Sequence, residues 1–589
     1  MNKADIIRTA HQMAQQGQAA MAAQQLQQVV SAFPGDPDYA HHLGLILLSQ
    51  GGIDAAMPYL ERSVQLAPGM ADYRSNYATA LNMRGRHAEA AQEYRRAIAV
   101  RPDAFAAQIG LASALISTMD YEGALGAARQ ASAIDPGRPE PWINMAIALT
   151  RCGRGAEGIA TIEKALKRFA DHPVLLTQLV ANLHYRPEID PDRIRTEHER
   201  LGRLMLARTP PPHPFANTRE PDRPLRVAYV SQDFHDHSVM HFFRPVLAAH
   251  DPAQAEVFLY SATMNADGVT AQVQASGAKW RDISRMPDQG IEELMRGDQI
   301  DLAVDLAGHT GGSRISALAR RVAPVQASYI GYPNTTGVPT IDYRIVDEHT
   351  DPAGAERYST ERLVRIPGCF LAYRPPDHAP EVGPAPSASG APPVFGSFNA
   401  AQKIVEPVIE AWAAILKAVP GSRLLLKAQA WESASARKDY LAMLARAGAA
   451  PERVELLARI PDAEQHLALY HRVDVALDTF PYNGTTTTCE ALWMGVPVVA
   501  LAGRAHAGRV GVSLLNAVGL PDLVAETPEA YARVATDLAR EAARLASLRA
   551  SMRERVRGSV LCDGPGFTRK LEAAYREMWR SYCGEAAGG

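Results

Sequence analysis

The sequence predicts an all-helical repeat array followed by an α/β module of two parallel-sheet lobes. Three observations carry that reading. The first third repeats itself every 34 residues, β-branched runs then alternate with helical segments, and a Pro/Ala/Ser-rich stretch splits the alternation in two. At 589 residues the chain is too long for one core, and length alone gives about three or four domains.

The repeat shows in three registers. Proline recurs at Pro34, Pro68, Pro102 and Pro136. Glycine recurs at Gly17, Gly51, Gly85 and Gly153, with Met119 in the one gap. A small residue follows five positions later, at Ala22, Ala56, Ala90, Ala124 and Gly158. Glycine suits the turn inside a helix pair, the small residue suits a close helix crossing, and proline starts the next unit. The pattern resembles the tetratricopeptide repeat, four to five copies over residues 1–173. Such arrays present a concave groove, so protein or peptide binding is expected. The groove-lining position of the first helix reads His42, Asn76, Gly110 and Asn144. Amides both donate to and accept from a peptide bond, which makes Asn76 and Asn144 candidates for gripping an acceptor chain. Helices continue without the period to about Gly202, so residues 1–205 are assigned to the repeat domain and Pro-rich 206–224 to a linker.

Beyond it, LRVAYVS (Leu225–Ser231), EVFLYSA, IDLAVDLAG (Ile300–Gly308), QASYIGYP and YRIVD form one series of apolar runs. PVFGSFN, SRLLLKA, RVELLARI, VDVALDT and VPVVALAG form a second. Runs of this kind between helices are what a parallel sheet covered on both faces demands. The expected bounds are 225–374 for the first Rossmann-like lobe, 375–393 for a linker and 394–589 for the second lobe. Ligands of such sheets bind beyond the carboxyl ends of the strands, where the motifs below fall.

Composition narrows the class. A formal charge of −3, without a Lys/Arg run, predicts no nucleic-acid binding. Five scattered cysteines without a CxxC pair predict neither a disulfide framework nor a zinc site. The Gln-rich start lacks the apolar core of a signal peptide, and no run reaches the roughly 18 apolar residues of a membrane span. A cytoplasmic protein with no membrane contact is expected.

The segment from Asp478 to Val499 is the richest in chemistry. A strand end, a Pro-Tyr-Asn-Gly turn and four threonines open a helix, a ready site for a diphosphate on Asn483, Gly484, Thr485, Thr486 and Thr487. Glu490, about one turn on, is placed to accept from ribose hydroxyls. Lys403, with Asn399, follows the first strand of the second lobe, where an ammonium would neutralise a departing nucleoside diphosphate. DFHDHSVMHF puts three histidines after the first strand of the module, but no third ligand cluster supports a metal. His237 is instead an acid/base or sugar-orienting candidate. His309 and His466 are further cleft candidates, the latter near the base or ribose.

DFHDHS, LAGHT, GYPNTTG, FGSFN...KI, LDTFPYNGTTTTCE and HAGRVGVSLL, with the repeats ahead of them, resemble the O-GlcNAc transferase family (glycosyltransferase family 41), most closely its SPINDLY-like branch. The resemblance covers almost the whole chain. It implies a GT-B arrangement of the lobes and inverting, metal-independent transfer, without a cofactor, from a nucleotide sugar to Ser/Thr of a protein. It makes His237 and Lys403 catalytic. Donor binding falls to His466, Asn483, Gly484, Thr485, Thr486, Thr487, Glu490, Asn399, Gly331, Pro333 and His309. The family's groove asparagines match Asn76 and Asn144. UDP-GlcNAc is the leading donor. Where the animal enzymes carry histidine, glutamine and lysine around the nucleotide, this chain has Thr485, Ala400 and Ala463, which keeps GDP-fucose as the alternative. Related bacterial enzymes add flagellin as an acceptor, with another sugar, as a further alternative, and a repeat scaffold with inactive transferase lobes is the non-enzymatic one.

Overall fold

A computed structural model describes residues 2–211 and 213–585. It resolves into two compact units, Met1–Ala170 and Asp171–Gly589.

The first unit contains five helix pairs: Lys3–Gln15 with Ala19–Ala32, Pro37–Ser49 with Ile53–Leu66, Ala71–Met83 with His87–Val100, Phe105–Ser117 with Tyr121–Ile134, and Glu140–Arg151 with Gly155–Arg168. The recurring glycines end the first helix of each pair in the left-handed region, with φ of 82° at Gly17, 77° at Gly51, 81° at Gly85 and 88° at Gly153. Met119 adopts the same conformation at φ 62°. After each of these residues the next amide reaches back to the carbonyl five residues earlier, as from Gly52 to Leu47 at 3.0 Å and from Asp120 to Leu115 at 2.9 Å. That bond identifies a Schellman stop, which is why the period demands glycine there. Ala22, Ala56, Ala90 and Ala124 are wholly buried at the helix crossings. The prolines lie three or four residues ahead of the next helix, in the turn between pairs.

The second unit begins with helices Pro173–Leu183 and Pro191–Leu206. The sequence assigns both to the repeat domain, yet they pack on the sheet-bearing unit. His184 and His198 each place Nε2 on the Tyr332 hydroxyl, at 3.0 and 2.7 Å. Gly202 lies so close to the backbone of Gly337 that a Cβ would stand 1.8 Å from its carbonyl oxygen.

The first sheet holds β1 (Leu225–Ser231), β2 (Ala255–Ser261), β3 (Lys279–Asp282), β4 (Leu302–Asp305), β5 (Val325–Ser328), β6 (Tyr343–Val346) and β7 (Arg362–Arg365), in the order β3-β2-β1-β4-β5-β6-β7. The second holds β8 (Val394–Ser397), β9 (Arg423–Lys427), β10 (Val454–Leu457), β11 (Val475–Leu477), β12 (Val498–Leu501) and β13 (Val524–Ala525), in the order β10-β9-β8-β11-β12-β13. Neighbouring strands run parallel throughout. β1, β4 and β5 are buried almost end to end, as the continuous apolar runs require.

Both linkers are pinned. Arg223 clamps the buried Asp301 with two guanidinium nitrogens at 2.6 Å each. Ser387 donates its backbone N–H and its hydroxyl to Asp474, at 3.0 and 2.7 Å. The final helix, Gly564–Glu585, follows the second sheet in sequence but packs on the first lobe. Tyr575 meets Tyr229 hydroxyl to hydroxyl at 3.2 Å, and Glu572 accepts from His250 Nδ1 at 2.8 Å.

Candidate active site

In each sheet the strand order reverses beside its first strand, between β1 and β4 and between β8 and β11, and a crevice opens there at the carboxyl ends. The loops leaving these strands converge on one cavity of about 310 Å³. His237 follows β1, Gly331 and Pro333 follow β5, Asn399 and Lys403 follow β8, and Thr485, Thr486 and Thr487 follow β11; all of them line it. Tyr482, Ala400 and His506 line it as well.

The turn after β11 is organised by Asp478. Its Oδ1 accepts the backbone N–H groups of Thr479 at 2.8 Å and Gly484 at 2.6 Å, and the Asn399 amide at 3.3 Å. Burial pushes the Asp478 carboxyl up, while these donors and Lys403 pull it back toward the ionised form. Asn483 is fully buried and ties the turn together, its side chain donating to Thr479 O at 2.9 Å and accepting from Gly511 N at 3.1 Å.

Lys403 reaches across from the other strand. Its Nζ donates to the Asn483 carbonyl at 2.7 Å and stands 4.1 Å from the centroid of the Tyr482 ring. Burial lowers its pKa to about 8, opposed by the Asp478 carboxylate. Tyr185, from the segment after Pro173–Leu183, stacks on the Tyr482 ring with centroids 5.1 Å apart.

Helix Thr486–Trp493 starts at Thr485, whose side chain makes no capping bond. The first amides of a helix have no carbonyl one turn back to accept them, and the macrodipole adds partial positive charge. These amides, the threonine hydroxyls and Lys403 form a wall suited to a diphosphate. Thr487 Oγ1 donates to Asn399 Oδ1 at 3.1 Å, fixing the orientation of that amide.

One turn deeper, Glu490 Oε2 accepts from His466 Nε2 at 3.1 Å and from the Tyr470 hydroxyl at 3.4 Å. His466 Nδ1 accepts from Lys427 Nζ at 2.8 Å, so the imidazole is the Nε2–H tautomer. Burial brings Lys427 down to about 8, with Glu490 opposing. Phe398 borders this chain, its centroid 4.6 Å from Tyr470.

On the first-lobe side, His237 Nδ1 accepts the Val239 N–H at 3.3 Å and lies 3.8 Å from Asp233. Burial lowers the histidine and raises the aspartate, and each opposes the shift of the other.

The structure thus gathers His237, Lys403, Asn399, Gly331, Pro333 and Thr485–Thr487 around one space. Asn483 and Gly484 stand behind that wall, as parts of the turn. His466 and Glu490 form the adjoining pair rather than lining the cavity. His309 is not a cleft group: it is 4 % exposed, Nε2 meets the Thr336 carbonyl at 2.6 Å, and its ring packs edge-on against Tyr332. Gly331 is explained without any ligand, because a Cβ there would stand 1.7 Å from the Leu306 carbonyl oxygen. In the repeats, the Asn76 amide contacts His41 Nε2 at 3.2 Å and the Asn144 amide donates to Ile109 O at 3.4 Å, each bridging to the preceding pair. Sequence reading passed over Tyr482, Lys427, Tyr470 and Asp478; Lys427 and Asp478 sit at carboxyl strand ends, the one signal available for them.

Among the described residues no group of three or more His, Cys, Asp or Glu side chains could hold a metal ion. No described helix is long and apolar enough to cross a membrane.

The family model of glycosyl transferase family 41 matches residues 195–379 and 390–571, and tetratricopeptide-repeat models match 13–71, 78–139 and 115–183. Two similar curated proteins are the probable UDP-N-acetylglucosamine–peptide N-acetylglucosaminyltransferases SPINDLY of Solanum lycopersicum and Arabidopsis thaliana. The first is 44 % identical over 405 residues, 68 % of this chain and 44 % of that protein. The second is 43 % identical over 396 residues, 67 % of this chain and 43 % of that protein. The chain therefore spans under half the length of these curated relatives. A solved structure of a mutant Thermobaculum terrenum O-GlcNAc transferase is 36 % identical and superposes with a TM-score of 0.82, covering 88 % of this chain and 98 % of that one. With a helical repeat unit ahead of two parallel sheets and a cavity at their carboxyl ends, the chain belongs to glycosyl transferase family 41.

Proposed function

We propose that the protein transfers a sugar from a nucleotide-sugar donor to a serine or threonine hydroxyl of an acceptor protein, with inversion at the anomeric carbon. The observation that carries this is the meeting of Lys403 and the uncapped helix Thr486–Trp493 on one cavity shared by both lobes. The acceptor oxygen bonds to the anomeric carbon as the bond to the nucleoside diphosphate breaks, and the hydroxyl proton leaves with the departing diphosphate. The leaving diphosphate gathers negative charge, and Lys403, the helix amides and Thr485–Thr487 stabilise it. Preorganised donors of this kind each contribute on the order of 10²–10³ in rate. Lys427, His466 and Glu490 serve the nucleoside. His237 carries its neutral-state proton on Nε2, because Nδ1 is engaged by Val239; that tautomer supports orienting the sugar rather than taking the hydroxyl proton.

GlcNAc from UDP-GlcNAc is the leading reading, supported by the printed names of the similar proteins. Thr485 and Ala400 on the cavity wall, positions where the resemblance expects other residues, favour testing GDP-fucose beside it. The repeat unit supplies the acceptor-binding surface. Incubation with UDP-, GDP- and CMP-sugars, read by intact-mass shift of an added protein pool and by donor hydrolysis, tests both parts. Absence of hydrolysis and of mass shift with every donor overturns the proposal.

A further inference from the structure

A second cavity, of about 680 Å³, lies where the chain crosses between the lobes. Its walls include helix Met240–Ala249 of the first lobe, the crossing segment from Tyr373 to Ala379, Trp493 of the second lobe, and the start of the final helix at Gly564. None of the groups assigned to the transfer reaction lines it. Its volume falls within the roughly 300–1,000 Å³ of small-molecule sites.

Its chemistry is specific. The Arg553 and Arg557 guanidinium carbons lie 5.1 and 5.4 Å from the centroid of the Trp493 ring, a cationic pair against an aromatic plate. Arg553 is held in place by the Trp493 carbonyl at 3.0 Å and the Pro380 carbonyl at 2.5 Å. Its side chain is only 12 % exposed, yet its carboxylate partner Glu381 is fully solvated and 3.4 Å away. Arg557 pairs with Glu554 and Arg374 with Asp377, again with carboxylates that face water. Such exposed pairs are weak and readily exchanged for a better anion. Three guanidiniums thus meet one lining carboxylate, Asp377, and the final helix opens with its positive end at the same place. Pro245, Ala248 and Pro376 supply an apolar face to the remaining wall, which Tyr373 and Cys562 complete.

We propose that this cavity binds a small organic anion, a phosphate or carboxylate carried on a flat apolar body: the body lies against Pro245, Ala248 and Pro376, and the anion takes the arginines that Trp493 backs. Since the walls come from both lobes and the crossing segment, the ligand bridges the lobes.

Calorimetric titration of the full chain with 1-naphthyl phosphate, 1-naphthoate and neutral 1-naphthol, each with and without excess UDP, tests this. One site per chain for at least one anion is expected, unaffected by UDP, with the naphthol about tenfold weaker or worse. The two anions tell which head group is preferred. Arg374→Gln/Arg557→Gln should weaken the anion by about tenfold or more. Ala248→Trp, which fills the cavity from an exposed position and keeps every charge, should abolish binding. Failure of both anions to bind, displacement by UDP, equal binding of naphthol, or wild-type affinity in both variants overturns the proposal.

Discussion

Lys403 Nζ donates to the main-chain carbonyl of Asn483 at 2.7 Å, so the ammonium is aimed by the same turn that opens the threonine helix. Lys403→Ala should lower kcat by about 10²–10³ while acceptor pull-down through the repeats is unchanged. Retained turnover in a steady-state assay removes the lysine from the mechanism.

The pH dependence follows from the same group. Burial brings Lys403 to about 8, so it is charged at neutral pH and loses its charge as pH rises through that value. The kcat/KM of the free enzyme should therefore fall on the alkaline side of about 8. A profile flat to pH 9.5 contradicts it.

His237 gives the opposite limb. Burial lowers it below the ordinary histidine value despite Asp233, so the neutral ring persists as pH falls from 7. If neutral His237 is needed, kcat/KM should hold until the pH is below about 6.5 and then decline. His237→Asn, which keeps a donor, should retain more activity than His237→Ala. The reverse order argues against an orienting role.

Tyr482 is pressed between Tyr185 and Lys403. Tyr482→Phe should preserve turnover, since the ring is what the ammonium meets, whereas Tyr482→Ala should lower kcat and weaken product inhibition by nucleoside diphosphate. Equal behaviour of the two variants would show that the ring face is irrelevant.

Gly202→Ala drives a methyl group into the Gly337 carbonyl. Overpacking of this kind costs about 1–3 kcal/mol. Calorimetry should show a lowered transition for the unit beginning at Asp171, with the repeat transition unmoved.

The sequence was most legible where geometry forces residue type. The left-handed turns at Gly17, Gly51, Gly85 and Gly153 announced the repeat, and buried central strands announced both sheets. β3 and β7 went unread because Lys279–Asp282 and Arg362–Arg365 are at least half charged, and β13 because Val524–Ala525 is only two residues long, whereas the edge strand β10 was legible from its apolar run. His309 read as a cleft group because a histidine after a strand end gives no hint that a tyrosine from the next loop, Tyr332, will cover it. Lys427 was hidden for another reason: its partners His466 and Glu490 come from separate helices, and only the folded chain brings them together.

The final helix carries a lesson about order of assembly. Tyr575 completes the packing around Tyr229 from 346 residues downstream. The repeat pairs close through neighbours and are able to form as they leave the ribosome. The first lobe has no such freedom: its buried Tyr229, and His250 beside it, must wait for the second lobe to be made before their partners exist. During synthesis that half-finished sheet is where a chaperone would find exposed surface.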